Sequence, residues 1–410
     1  MLSEEMQDRL IEGLLGRVEQ LNTELITEIG KQIKYIGTLT PSQAHKLAQI
    51  LLYGENVNWI ARRLSEVTNL NVREIYQILK KTAIENQEFA RQFYKARNID
   101  FIPYEKNKIL QKEVEAIAKL TANRYKNIMR STAYVMDGKL VPLNKIYTEV
   151  VDKAILSVSQ GKESYQVVMR KTMNELVNAG LRVRVDKNGE PTGTRVIDYK
   201  SGLSRRADTA IRMNTLEGIR TVSNELQRQF GEEYGADGVE ISVHEHPAPD
   251  HEDIQGHQYS NEEFEKLNSS LDRPISTLNC YHYIFNIVLG VSKPQYTQEE
   301  LDKIKKENHD GFTYQGKHYT LYEGTQLQRR IETQVRQQKD RQILAKSMED
   351  MDTVGVCQKK ISELTNKYDR LCKESGLKPK MNRMTVSGYR RMKVSWGWYI
   401  WKLIMQTYSM

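Results

Sequence analysis

Ten aliphatic residues, Leu10, Ile11, Leu14, Leu15, Val18, Leu21, Leu25, Ile26, Ile29 and Ile33, recur at three- and four-residue intervals between positions 3 and 36. That spacing draws one apolar stripe along a helix and no continuous face along a strand. Such a helix is roughly 50 Å long. It is not stable alone, so the stripe demands other helices to pack on. The next segments supply them. Thr40-Pro41 opens a short helix, with Thr40 as cap and Pro41 in the first turn, that stops at Gly54. Helices are predicted at 57–68, at 72–97 through Ile75, Ile78, Leu79 and Ile84, and at 105–133 through Leu110, Val114, Ile117, Tyr125 and Ile128. The first third, 1–134, is therefore expected to be all helix.

The pattern changes at the Asp137-Gly138 turn. Helices are predicted at 143–159 and 164–179. A hairpin follows, from Leu181–Val185 through Asp186–Gly189 to Thr194–Tyr199. A helix over 204–230 and a strand over Gly238–Val243 complete a small mixed region, 135–295. Beyond it, Thr297 and Glu300 form a capping box, and residues 312–320 form a hairpin turning at Gln315-Gly316. Helices over 321–349 and 354–374 pair as an antiparallel hairpin, giving a third region, 296–375. The first of these carries only a thin apolar line, Leu327, Ile331 and Val335, which predicts a helix in water or against another subunit. The last region, 376–410, is basic and tryptophan-rich. The expected fold class is α+β, mostly α-helical.

Charge sharpens the last boundary. Lys and Arg number 61 against 53 Asp and Glu. Seven of those basic residues, and no acidic one, lie after Ser375. The rest of the chain is thus near neutral, 54 against 53, and the basic balance describes the tail. Three of the four tryptophans, Trp396, Trp398 and Trp401, stand there beside Arg390, Arg391 and Lys393. Exposed tryptophan is costly. These six residues are therefore expected to pack on the chain's own core, on a partner or nucleic acid, or on a membrane surface. No apolar run is long enough to predict a membrane span. The opening residues, acidic and amphipathic, do not read as a signal peptide. A hydrophobic fraction of 39% is low for one compact enzyme and suits long helices or assembly surfaces. Cys280, Cys357 and Cys372 are too few and scattered for a disulfide framework.

The chemistry-bearing residues concentrate in two stretches. Val243–Ser260 holds four of the eight histidines, and Cys280-Tyr-His282 follows. His251, Cys280 and His282 are the predicted ligands of a structural zinc. An alternative reads the same three as the centre of a metal-dependent hydrolase. A Cys280 nucleophile with a histidine base, or a magnesium nuclease on Asp250, Glu252 and Asp253, is thinner. No glycine-rich phosphate loop is present. A third reading is a DNA-binding protein acting through the basic tail.

Several pieces occur together in order: Pro249-Asp-His251, Gln255-Gly256, Tyr259-Ser260, Asn279-Cys280-x-His282 and Gly290-Val-Ser292. Ile197-Asp-Tyr-x-Ser-Gly202 precedes them, and Tyr319-Thr-x-Tyr-Glu-x-Thr-Gln326 follows. This set resembles the core of phage minor capsid proteins of the MuF-like head-morphogenesis group, over about 140–375. Two positions depart from that pattern: Tyr281, where arginine is usual, and Ile254, where an aromatic residue is common. The resemblance implies a structural protein and no catalytic activity. It implies action in head assembly at the portal, with portal protein, other capsid or scaffold proteins, copies of itself and packaged DNA as partners. The implied location is the virion head, and the host cytoplasm during assembly.

Overall fold

The computed structural model describes residues 4–44, 56–97, 100–137, 139–160, 165–184, 204–271, 273–277 and 280–391. The chain is mostly helical, with three small antiparallel sheets. The N-terminal stripe forms α1 (Glu4–Gly37). Eight of its residues, from Ile11 to Ile33, are no more than 2% exposed. They pack on α2 (Asn56–Arg97) and share one buried cluster with α3 (Lys108–Ser131). The break expected at 69–71 does not occur, and α2 runs straight through it. Asn71 is fully buried there, with its amide nitrogen donating to Leu14 O (3.1 Å) and Tyr125 Oη (2.8 Å). Its side-chain oxygen accepts from Arg17 Nε at 2.5 Å. The polar residue in the expected gap is a satisfied contact between three helices.

The helix predicted to reach 133 stops at Ser131. Ala133–Met136 (β1) instead pairs with Lys139–Pro142 (β2) across the Asp137 turn. Then come α4 (Leu143–Gln160) and α5 (Tyr165–Ala179). Next, β3 (Arg182–Arg184) pairs with β4 (Ser204–Arg206), completing a sheet of order β2-β1-β3-β4. The predicted second hairpin strand, 194–199, lies outside the described residues. The three residues of β4 displace the expected start of the next helix, α6 (Ala207–Tyr234).

A second sheet has order β6-β5-β7, with the buried β5 (Gly238–Ile241) between β6 (Gln258–Ser260) and β7 (Ile284–Ile287). The strand expected to continue to Val243 ends at Ile241. Helix α7 (Asn261–Ser270), which periodicity did not reveal, is opened by a capping box between Ser260 and Glu263. The predicted box at Thr297 opens α8 (Gln298–Asp310). The hairpin β8 (Phe312–Tyr314) and β9 (Lys317–Tyr319) leads to α9 (Leu321–Ser347) and α10 (Met351–Ser375).

One cluster of buried side chains runs from α1 to α6 and takes in Leu344, Ala345 and Met348 at the end of α9. A second forms around Phe312, Ile331, Val335, Tyr368 and Leu371. Helix α9 is therefore not in water. It packs on α10 and α1 and buries Gln328, Glu332, Asp340 and Gln342 to 4% or less. Partners make that tolerable: Glu332 accepts from Tyr368 Oη (2.9 Å) and Gln328 donates to Lys378 O (3.2 Å). Past α10 the chain stays on the body. Leu377, Met384 and Val386 are buried, and Thr23 Oγ1 donates to Ser387 O at 2.8 Å.

Charged groups pin α1, α6 and α9 together. Arg336 of α9 lies 2.5 Å from Asp208 of α6 and 3.9 Å from Glu19 of α1. Burial pushes the Glu19 carboxyl up from 4.5 to about 7, with Arg336 opposing and Asp208 and Asp340 adding to the rise. The folded chain therefore binds this proton more tightly than the unfolded chain does. Stability falls as pH rises from about 4.5 to about 7. We expect the unfolding free energy to drop over that window by on the order of 2 kcal/mol, and the drop to shrink in Glu19→Gln. Denaturant titrations at several pH values check it; equal slopes in both proteins would refute the assignment.

Candidate metal centre

The centre is built from two irregular segments that leave the ends of the second sheet. After β5, the chain turns back so that Gly256 N donates to Ile241 O at 2.8 Å. Within that turn His251 O accepts from Gln255 N (3.2 Å), a single helical turn. Residues four apart on such a turn share a side. His251 and Gln255 accordingly both face the segment before β7, which carries Cys280 and His282.

All three predicted ligands come together. Cys280 Sγ lies 3.7 Å from His251 Nδ1 and 3.3 Å from His282 Nδ1. One ligand atom from each of the three falls within 4.8 Å of the others. Both histidines are 3% exposed, and Cys280 is half-buried. The outer nitrogens are also held. His251 Nε2 donates to Arg273 O (2.7 Å) and His282 Nε2 to Gln255 Oε1 (3.0 Å). Gln255 is in turn fixed by the backbone of residue 244: Oε1 accepts from His244 N (2.8 Å) and Nε2 donates to His244 O (3.1 Å). Ser276 N points at Cys280 Sγ (3.4 Å), and Ser276 Oγ donates to His282 O (2.9 Å).

The electrostatics follow from burial and neighbours. Burial pulls the His282 imidazole down to about 2, with His244, His251 and Arg220 adding to the fall, so it stays neutral. Burial alone would lower His251 too, but the Cys280 sulfur and the Arg273 carbonyl more than offset it and hold His251 raised. Burial would raise the Cys280 thiol; its contact with His251, aided by the backbone of His282 and Ser276, outweighs that and holds the thiol below its usual range.

His244 and His246 do not share a strand face, because the strand has ended before them. The His244 ring instead meets His282 edge-on, with centroids 4.4 Å apart. The acidic trio is already paired. Asp250 pairs with Arg273, Glu252 accepts from Asn308 Nδ2 (2.7 Å) and His309 Nε2 (2.8 Å), and Asp253 accepts from Lys305 (2.6 Å). Glu252 and Asp253 thus fasten the loop to α8, and Asp250 fastens it to the segment after α7. Tyr281 points away from the cluster. Its hydroxyl bonds Arg212 and Asp8, and Arg220 lies 4.9 Å over its ring, joining the loop to α6 and α1. Periodicity gave no signal for Arg273, which meets His251 through its carbonyl, or for Ser276, which uses both its N–H and its hydroxyl.

The sequence matches the family described as Phage minor capsid protein 2 over residues 5–372. The chain belongs to that family. The kinship with phage minor capsid proteins expected from the 140–375 pieces thus extends over nearly the whole chain, from α1 into α10. No curated protein and no solved structure matches the chain. A phage minor capsid family is a structural one, and its products are virion components. No helix among the described residues is long and apolar enough to cross a membrane. The tail lies outside the matched residues. Arg390 and Arg391 are exposed at the end of the described chain, while Lys393, Trp396, Trp398 and Trp401 lie outside the described residues.

Proposed function

We propose that this phage minor capsid protein acts in head assembly at the portal, in the host cytoplasm, and enters the virion head by binding portal protein and further copies of itself. The observation that carries this reading is the match to a minor capsid family over residues 5–372. The open surface is consistent with it. Ile109 and Leu120 of α3 are 72% and 65% exposed, and their eleven-residue spacing sets both on one helical face. The tail residues Arg390, Arg391, Lys393, Trp396, Trp398 and Trp401 are the proposed anchor, pairing basic charge with large apolar area.

Co-expression of the full chain with the portal protein encoded beside it tests this. The expected result is a complex that survives size-exclusion chromatography. Ending the chain at Arg391 is the informative truncation, because Leu377, Met384 and Val386 are buried and an earlier cut would damage the fold. The shortened chain is expected to melt like the full one and to bind the portal at least about tenfold more weakly. A full-length chain that stays monomeric beside the portal would count against the whole reading. Unchanged binding by the shortened chain would remove the tail from it.

A further inference from the structure

Two imidazoles and one thiol face each other with too few protons among them. His251 Nε2 and His282 Nε2 each meet a carbonyl oxygen, Arg273 O and Gln255 Oε1. A carbonyl has no proton to give, so both outer nitrogens carry the hydrogen. The Gln255 amide cannot turn over to change this. Its oxygen is claimed by the His244 N–H and its nitrogen by the His244 carbonyl. Each inner nitrogen, Nδ1, therefore faces the Cys280 sulfur from its own side. One thiol proton can bridge to only one of them. The other lone pair is left against sulfur at a place where both rings are 3% exposed.

We propose that Cys280 Sγ, His251 Nδ1 and His282 Nδ1 bind a structural zinc ion. A cation in the middle satisfies all three atoms at once. Tetrahedral zinc with ordinary bonds to sulfur and nitrogen gives sulfur–nitrogen edges of about 3.6 Å; those found are 3.7 and 3.3 Å. Imidazoles whose outer N–H is held by a carbonyl are the usual setting of zinc-bound histidine, since that bond fixes tautomer and ring direction. Gln255 and Arg273 are thus positioning residues. The fourth position falls to a water. The ion ties the loop after β5 to the loop before β7, where few strand bonds exist to do so. This inference stands apart from the assembly reading, because it concerns only how two loops are locked.

The test uses the full-length chain, loaded with zinc, dialysed against zinc-free buffer and assayed for metal, then exchanged into cobalt. Equimolar zinc and a thiolate-to-cobalt charge-transfer band are expected. The band survives in Cys357→Ser and Cys372→Ser, whose thiols are buried elsewhere, and disappears in Cys280→Ser. Gln255→Ala, which releases the His282 ring, weakens zinc binding about 10- to 100-fold. The wild-type chain carries the first readout, so a variant that fails to fold does not shelter the idea. Only trace zinc in the wild type, or a cobalt band indifferent to Cys280→Ser, overturns it.

Discussion

Asp208→Asn is expected to cost about 3–5 kcal/mol of stability, measured by denaturant unfolding of the full chain at neutral pH. The carboxylate sits in the first turn of α6. Oδ1 accepts from Thr209 N (2.8 Å) and Arg206 Nε (3.3 Å), and Oδ2 pairs with Arg336 at 2.5 Å. Burial alone would raise its pKa, but the two guanidinium groups hold it well below the usual carboxylate range. Both arginine side chains are 17% exposed. Asparagine keeps the shape and removes the charge, leaving two cations buried together without their shared anion. Asp340 is the control. It lies in the same cluster, but burial pushes its carboxyl up to about 6, against the opposing Arg206 and Arg336. Its ionised form is disfavoured, so Asp340→Asn is expected to cost little or to stabilise. Equal losses for both variants would mean that the cluster does not work through charge pairing. The sign with pH also separates them. Stability from Asp208 is present above its ordinary pKa of 3.8 and is lost as pH falls below it. Stability linked to Asp340 declines as pH rises from 3.8 to about 6.

This cluster also marks the limit of what the sequence discloses. Glu19, Asp208 and Arg336 are far apart in the chain, and each looks like an ordinary surface residue of a helix. Periodicity sees which face of α9 is apolar; it does not see that a polar face is buried by partners from α1 and α6. The same blindness left a gap at 69–71, because the residues that satisfy Asn71, Leu14 and Tyr125, lie on other helices. Local signals fared better. The box at Thr297, the turn at Gln315-Gly316 and the stripe of α1 each rest on spacing within a few turns, and each forms as expected. The candidate metal centre lies between these cases. Residue type singled out His251, Cys280 and His282, and the fold brings them together. Gln255, which orients His282 and pins residue 244, came forward only through its place in a resemblance. Its role depends on a helical turn inside a loop that has no periodicity to read.

Gly311→Ala is expected to destabilise the C-terminal part of the molecule by roughly 2–5 kcal/mol. Gly311 ends α8 with φ 47° and ψ −137°, a backbone conformation that side chains rarely allow. A Cβ there would stand 2.0 Å from Tyr319 O and 2.9 Å from Tyr319 C, both backbone atoms of the partner strand's end. No rotamer change relieves that contact; the chain itself must move. The atoms that would shift carry the β8–β9 hairpin, whose Phe312 and Tyr314 enter the second core beside Ile331 and Tyr368. Loss there should therefore reach α9 and α10. Gly316 separates strain from collision. It also has positive φ, 78°, at the tip of the hairpin, but a Cβ would meet nothing within 4 Å. Gly316→Ala should cost only about 1 kcal/mol. Hydrogen exchange along α9 and α10 supplies the second readout: protection should fall in Gly311→Ala and hold in Gly316→Ala. If the two variants lose the same stability, the collision with Tyr319 is not what fixes glycine at 311, and the hairpin is held by φ alone.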